Sequence, residues 1–254
     1  MHKNKMGMVS IIIIVLILLI VFLFIAYASF DSNRPQIVLP DTDSSQEYTG
    51  EETGESNADM VARVEVTTDS VQNVIATLKR PTAYSQAITI TTNWSGGSGT
   101  THINSYVNGS LVRVDALLPD GQRKHTIRDS DWTYIRYGSG GDVYKAKNGA
   151  FSVDDELWIP TYEDLLEVDS DVLKEAGYES YQETDCIYAA TTEDENGYAQ
   201  RYWIAVDSGL LVAAERLQNG KTVYLMEALN VTVSEPSSEW FVLPDGTAVN
   251  AAAS

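Results

Sequence analysis

Cysteine occurs once in the 254 residues, so no disulfide can form within the chain. Its setting, Asp185-Cys186-Ile187-Tyr188, is strand-like, and Cys186 reads as a small buried hydrophobe, with an intermolecular disulfide as the alternative. Histidine is almost as scarce: His2 lies near the N-terminus, while His102 and His125 fall on separate predicted strands without Cys or carboxylates at ligand spacing, so no metal is expected. Basic residues are outnumbered, 17 Lys and Arg against 36 Asp and Glu, for a net charge of −19. That balance argues against a nucleic-acid partner, which would need a Lys/Arg patch. It also predicts repulsion from anionic headgroups, leaving apolar insertion as the way to hold a membrane.

Catalytic signatures are missing too. There is no Ser-His-Asp order, no zinc motif and no cofactor fingerprint, and the chain reads as a non-enzyme without cofactor. The glycine-rich run 95–99 lacks the Gly-Lys-Ser/Thr and helix of a phosphate cradle, and reads as a loose hairpin end. Asp154-Asp155-Glu156 and Glu193-Asp194-Glu195 do not follow calcium-loop spacing and read as solvated loops. Asn93-Trp94-Ser95, Asn108-Gly109-Ser110 and Asn230-Val231-Thr232 match a glycosylation acceptor pattern.

What is present begins with a long apolar run. Residues 9–28 form an uncharged stretch of about 20 residues, enough to cross a hydrocarbon core of about 30 Å as a helix. Lys3 and Lys5 precede it, placing residues 1–8 in the cytoplasm and the rest of the chain outside. The alternative is a signal peptide cleaved near Ala28, since Ala26-Tyr27-Ala28 has the small-x-small pattern. Residues 29–60 are acidic and poor in apolar groups after Leu39, a disordered linker whose flexible reach is roughly 30 Å. One folded domain is expected over 61–250, with 251–254 as a tail.

Within it, Val71, Val74, Ile75 and Leu78 recur at helical spacing after Thr67, Thr68 and Asp69, and Pro81 ends the pattern. Strands are expected over 87–94, 101–107, 111–118, 122–128, 131–137 and 142–147, joined by turns such as Asn108-Gly109 and Asp120-Gly121. Between Ile159 and Gly177 the pattern turns helical: Pro160 and Thr161 open one short helix, and Ser170 opens a second that stops at Gly177. Strand signals return over 178–183 and 185–191.

The stretch 198–234 is a three-strand meander apolar on both faces. Asn219-Gly220 is a two-residue turn that sets Gln218 opposite Lys221. Counting back puts Leu211, Ala213, Tyr224, Met226 and Ala228 on one face, joined by Tyr202, Ile204 and Val206 if Asp207-Ser208 or Ser208-Gly209 is also a two-residue turn. Val212, Ala214, Val223, Leu225 and Leu229 take the other, with Trp203 and Ala205. Both faces need cover, and short helices cannot shield both sides of a sheet of about ten strands. The fold class expected is therefore α+β: a strongly curved antiparallel sheet, an unclosed half barrel with a few short helices, preceded by the transmembrane helix. Its interior is either a filled core or a ligand cavity.

Tyr202-Trp203-Ile204, the Asp207-Ser208-Gly209-Leu210 that follows, the strand to Met226, and Phe241 with Leu243-Pro244-Asp245-Gly246 resemble the LolA-like family. That family includes the outer-membrane lipoprotein carriers, the sensor protein RseB and certain spore-germination lipoproteins, and the likeness spans 61–249 in element order. The resemblance implies an unclosed barrel around an apolar cavity that holds acyl chains or a protein segment. The carriers are soluble shuttles whereas this chain is read as tethered, and no Arg here is matched to the family's lid-locking Arg. The expected partner is a lipid or lipidated protein, with Ile88, Ile90, Trp94, Tyr202, Ile204, Leu211, Tyr224 and Met226 as cavity-lining candidates. The alternative is a regulatory or scaffolding module that meets another envelope protein through its outer surface.

Overall fold

The computed structural model describes residues 56–61, 64–152, 155 and 157–249. The segments read as cytoplasmic N-terminus, transmembrane helix and tail, and all but the end of the linker, lie outside these residues. Among the described residues no helix is long and apolar enough to cross a membrane.

Eleven strands make a single sheet: β1 (Ala83–Trp94), β2 (Gly97–Asn108), β3 (Leu111–Leu117), β4 (Arg123–Arg128), β5 (Trp132–Tyr137), β6 (Tyr144–Lys147), β7 (Leu173–Tyr181), β8 (Thr184–Thr191), β9 (Tyr198–Ala205), β10 (Leu211–Gln218) and β11 (Lys221–Thr232). The spatial order is β6-β5-β4-β3-β2-β1-β11-β10-β9-β8-β7, with every neighbouring pair antiparallel. Two meanders are thus welded along β1 and β11. The end strands β6 and β7 do not pair, and the sheet stays unclosed.

Among the described residues three short helices accompany it: α1 (Asn57–Val61), α2 (Val71–Thr77) and α3 (Tyr162–Leu166). The spacing of Val71, Val74 and Ile75 turns one face of α2 to the sheet, and Ser70 rather than an earlier Thr or Asp stands at its cap. At α3, Thr161 N donates to Asp164 Oδ2 at 2.7 Å, the reciprocal bond that the Thr161/Asp164 spacing predicts. The second expected helix is a single 3₁₀ turn, Ser170–Val172, because Leu173 onward pairs with β8 and Gly177 sits inside a strand. The folded region begins earlier than expected, at α1. Asn57 there is buried; its Nδ2 donates to Lys79 O and Asp207 O, and its Oδ1 accepts from Lys79 N.

Asn219 and Gly220 adopt φ of 50° and 72°, and Gln218 faces Lys221 as the turn chemistry dictates. Two bulges then correct the reading of the faces. The register slips between Arg216 and Leu217, so Ala214 rather than Ala213 faces Met226. It slips again between Leu211 and Ala213, so Leu211 stays with Ile204 while Ala213 sits opposite Trp203. Each extra residue turns the following side chains over. Ala214 therefore joins Tyr202, Ile204, Leu211 and Met226 on the inner face, and Ala213 joins Val212, Trp203 and Ala205 on the outer one. The Val206–Gly209 connection is also longer than the two residues expected, since it is Ala205 N that donates to Leu210 O, 2.9 Å away.

The inner face packs Ile187, Ile204 and Met226 under Val71, Ile75 and Leu78 as a solid core. Outside, no helix is needed over β8–β10, because Trp203 lies between the rings of Tyr181 and Tyr188 at 5.0 and 5.2 Å. Over β3–β5 the outer cover is the segment 238–249, whose Phe241 is buried among Leu111, Ile127 and Val249. Trp240 stacks on Tyr106 at 4.3 Å, and Trp240 O accepts from Arg113 Nη1 at 2.7 Å. The glycine-rich hairpin end is tighter than expected. Gly97 already belongs to β2, and the Trp94 ring lies across Gly97 and Gly99, 3.6 and 3.4 Å from where a Cβ would stand on each.

Ile204 is fully buried at the centre of the solid half. Ile204→Ala is expected to lose about 2–5 kcal/mol, read as a lower urea midpoint at unchanged slope.

Candidate functional site

The solid core thins beyond β1, with Ile103 of β2 and Ala116 of β3 as its outlying members. Beyond it, the inner face of β1–β5 and the segment 157–163 flank a partly open cavity of about 350 Å³, with Leu210 and Leu211 at its border. Most of the wall is apolar, including Ile88, Val107, Val114, Leu157 and Ile159. A cavity of this size and character falls in the range of small-molecule sites. It exists because the covering chain is thin: α2 fills the space over β8–β11, and only the single turn of α3 and its approach cross β1–β5.

That cover is clasped by Arg80. Its Nε donates to Gly209 O at 2.9 Å, Nη1 to Leu78 O at 2.9 Å and Nη2 to Ile75 O at 2.6 Å. The guanidinium also lies 3.4 Å from the ring centroid of Tyr162, at the start of α3. One side chain therefore ties the end of α2, the β9–β10 connection and the cover together. Gly209 has φ of +67°, and a Cβ there would meet Lys79 O at 2.9 Å, so the close approach requires glycine. Gln72 adds a second tie, its Nε2 donating to Leu165 O at 2.9 Å and Val168 O at 2.6 Å. Burial lowers the Arg80 pKa from its usual value, opposed by Tyr162 and Glu163. Burial, then Glu163 and Tyr162, pushes the Tyr84 phenol up, so this cavity-wall group is neutral at pH 7.

The sequence candidates divide sharply. Ile88 and Leu211 border the cavity. Ile90, Tyr202, Ile204 and Met226 are buried instead in the core shared with α2, which already occupies the space above them. Burial pushes the Tyr202 phenol up to about 12. Tyr224 packs at the edge of that core, its ring 4.9 Å from Trp158 and its hydroxyl donating to Trp158 O at 3.1 Å. Trp94 is 57% exposed at the hairpin tip, away from the cavity, because its ring packs on the glycines of its own hairpin. Gln86, Ser105, Thr126 and Arg128 line the wall, although nothing in the sequence pattern singles them out. In a strand pattern, polar residues at alternate positions read as the solvent side, and only the pairing reverses that reading.

Elsewhere, His125 Nδ1 lies 2.7 Å from Asp115 Oδ1 on the outer face, where Arg113 Nε donates to the same carboxylate. Among the described residues no group of three or more His, Cys, Asp or Glu is placed to hold a metal. Cys186 is free and 1% exposed, and burial pushes its thiol up to about 11.

Two expectations follow. Arg80→Met removes three hydrogen bonds, to Gly209 O, Leu78 O and Ile75 O, of which Ile75 O keeps the Leu78 N–H, and should cost on the order of 2–3 kcal/mol in urea unfolding, with Lys unable to replace the planar fork. Cys186 should resist a thiol reagent at pH 8 until the protein is unfolded. Because its folded pKa lies above the unfolded one, stability from this group is complete below pH about 9 and falls as pH rises toward about 11.

No family model matches the chain, and no curated protein matches it. Among solved structures, MucB is similar at 18% identity and a TM-score of 0.45, over 72% of this chain and 64% of that one. An uncharacterised conserved protein from Thermus thermophilus is similar at 12% identity and a TM-score of 0.45, over 66% of this chain and 90% of that one. A LolA superfamily protein from Nitrosomonas europaea is similar at 10% identity and a TM-score of 0.34, over 70% of this chain and 98% of its own. This chain thus spans somewhat under two thirds of the length of MucB.

Proposed function

We propose that the domain is a non-enzymatic, membrane-anchored extracytoplasmic module that takes an acyl chain of a lipid or lipidated protein into the cavity over β1–β5. The observation that carries this reading is the contrast between the two halves of one inner face. Over β8–β11 the apolar side chains meet helix α2 and leave no space, whereas over β1–β5 a largely apolar wall faces about 350 Å³ of unfilled volume. Unfilled apolar volume is costly in a close-packed interior, and a hydrocarbon guest removes that cost. The thin cover held by Arg80 provides a way in without unfolding the core.

The placement outside the cytoplasm rests on the apolar run 9–28 and the lysines before it. A partner protein that meets the outer surface is the second reading. It is favoured by strand β6, which has a neighbour on one side only and carries Tyr144, 56% exposed, at the sheet edge.

Protein stripped of lipid by solvent extraction and refolded should bind a fluorescent fatty acid that unlabelled acyl chains displace. Val114→Trp, which fills the cavity from its wall, should weaken that binding by about tenfold or more, about 1.4 kcal/mol. The absence of any displaceable probe contradicts the reading.

A further inference from the structure

The strand register arranges the cavity wall in cross-strand rows. One row runs Gln86, Ser105, Val114, Thr126 and Ile135, each opposite the next. Its neighbour runs Tyr84, Val107, Val112, Arg128 and Thr133. On the other side Ile88, Ile103 and Ala116 are apolar, and their row continues to the buried Lys124 and to Tyr137. A wall meant only for hydrocarbon has no use for a glutamine, a serine and a threonine in one row, since each resists leaving water without a partner.

Gln86 makes the point most directly. Its Oε1 is buried and has no hydrogen-bond partner among the described residues. Gln86 lines the cavity, and its unmet acceptor gains a partner when the side chain turns to a donor carried by a ligand.

Charge adds a second, independent observation. Asp155 and Glu163 also line the cavity, but both are engaged. Asp155 accepts from Ser152 Oγ at 2.6 Å and Tyr137 OH at 3.3 Å, and Glu163 accepts from Thr161 Oγ1. Arg128, exposed at the cavity wall, has no hydrogen-bond or ion-pair partner among the described residues. The arginine is the charge the wall leaves open, and its planar fork suits a carboxylate or phosphate.

We propose that the guest is an anionic acyl chain with a hydroxyl partway along it, its charge held by Arg128 and its hydroxyl donating to Gln86. Gln86 and Arg128 lie three strands apart in adjacent rows, a backbone separation across the sheet of about 14 Å at about 4.8 Å per strand. A single head group cannot bridge that span, whereas an extended fatty acid hydroxylated near mid-chain places its two polar groups at such a distance. The chain crosses the strands rather than running along them, with Val107, Val112 and Val114 against its methylenes. This inference rests on the cavity being an acyl site.

The test uses the full chain in phosphatidylcholine vesicles with a photoactivatable fatty acid, its label mapped by peptide mass spectrometry to β1–β5. Ricinoleate, oleate and methyl oleate compete; the first pair differs by the hydroxyl, the second by the charge. Ricinoleate should suppress labelling at about tenfold lower concentration than oleate, and oleate at about tenfold lower than methyl oleate. Arg128→Gln should erase the second difference. Gln86→Leu, which removes a buried unpaired group and leaves the fold intact, should erase only the first. Equal competition by all three, or an order that neither variant changes, overturns the inference while leaving acyl binding in place. No label on β1–β5 removes both.

Discussion

Burial of the inner face of β8–β11 is the constraint from which the rest of this fold follows. Ile187, Ile204, Leu211 and Met226 project to one side and are buried, each an apolar side chain worth about 1.5–3 kcal/mol when taken from water. The chain supplies α2 to cover them, with Val71 and Ile75 fully buried against the sheet. That helix is only as long as Val71–Thr77, and it cannot also reach the first meander. A sheet of eleven strands with so little helix must leave part of one face thinly covered.

The division between solid and open halves then has a residue-level cause. Over β8–β11, small residues such as Ala189 and Ala214 let α2 settle close to the strands. Over β1–β5 the inner face mixes Ile88 and Val114 with Gln86, Ser105 and Thr126, and the cover is the irregular run 157–163. Arg80 joins the two halves mechanically, because the carbonyls it binds belong to α2 and to the β9–β10 connection while its plane rests on Tyr162. Movement of the cover is therefore coupled to the solid core through this guanidinium together with the Gln72 amide.

Element types were legible in the sequence wherever local chemistry dictates them. Asn219-Gly220 places its own turn, Thr161 and Asp164 cap their own helix, and Val71, Val74 and Ile75 mark the buried side of α2. The face assignment of β10 was legible only in part, since the bulges at Leu211/Ala213 and Arg216/Leu217 carry no glycine or other local mark and exchange Ala213 with Ala214. The cavity was least legible. Its wall is assembled from β1 to β5, so that Gln86 and Thr126 become row-mates through pairings that no short window contains. The doubly apolar meander points instead to Tyr202, Ile204 and Met226, which are buried for stability, while the open space lies across the β1–β11 seam.

The proposed acyl guest joins these facts: an apolar wall without a filling, a polar row that crosses it, and a cover clasped by Arg80 and Gln72. The most direct check is native mass spectrometry of the full chain purified from cells that make it, in a detergent that is removed in the gas phase. The account predicts a population carrying one added mass in the fatty-acid range, retained until the protein unfolds. Only the bare chain mass, under conditions that keep the fold intact, would contradict it.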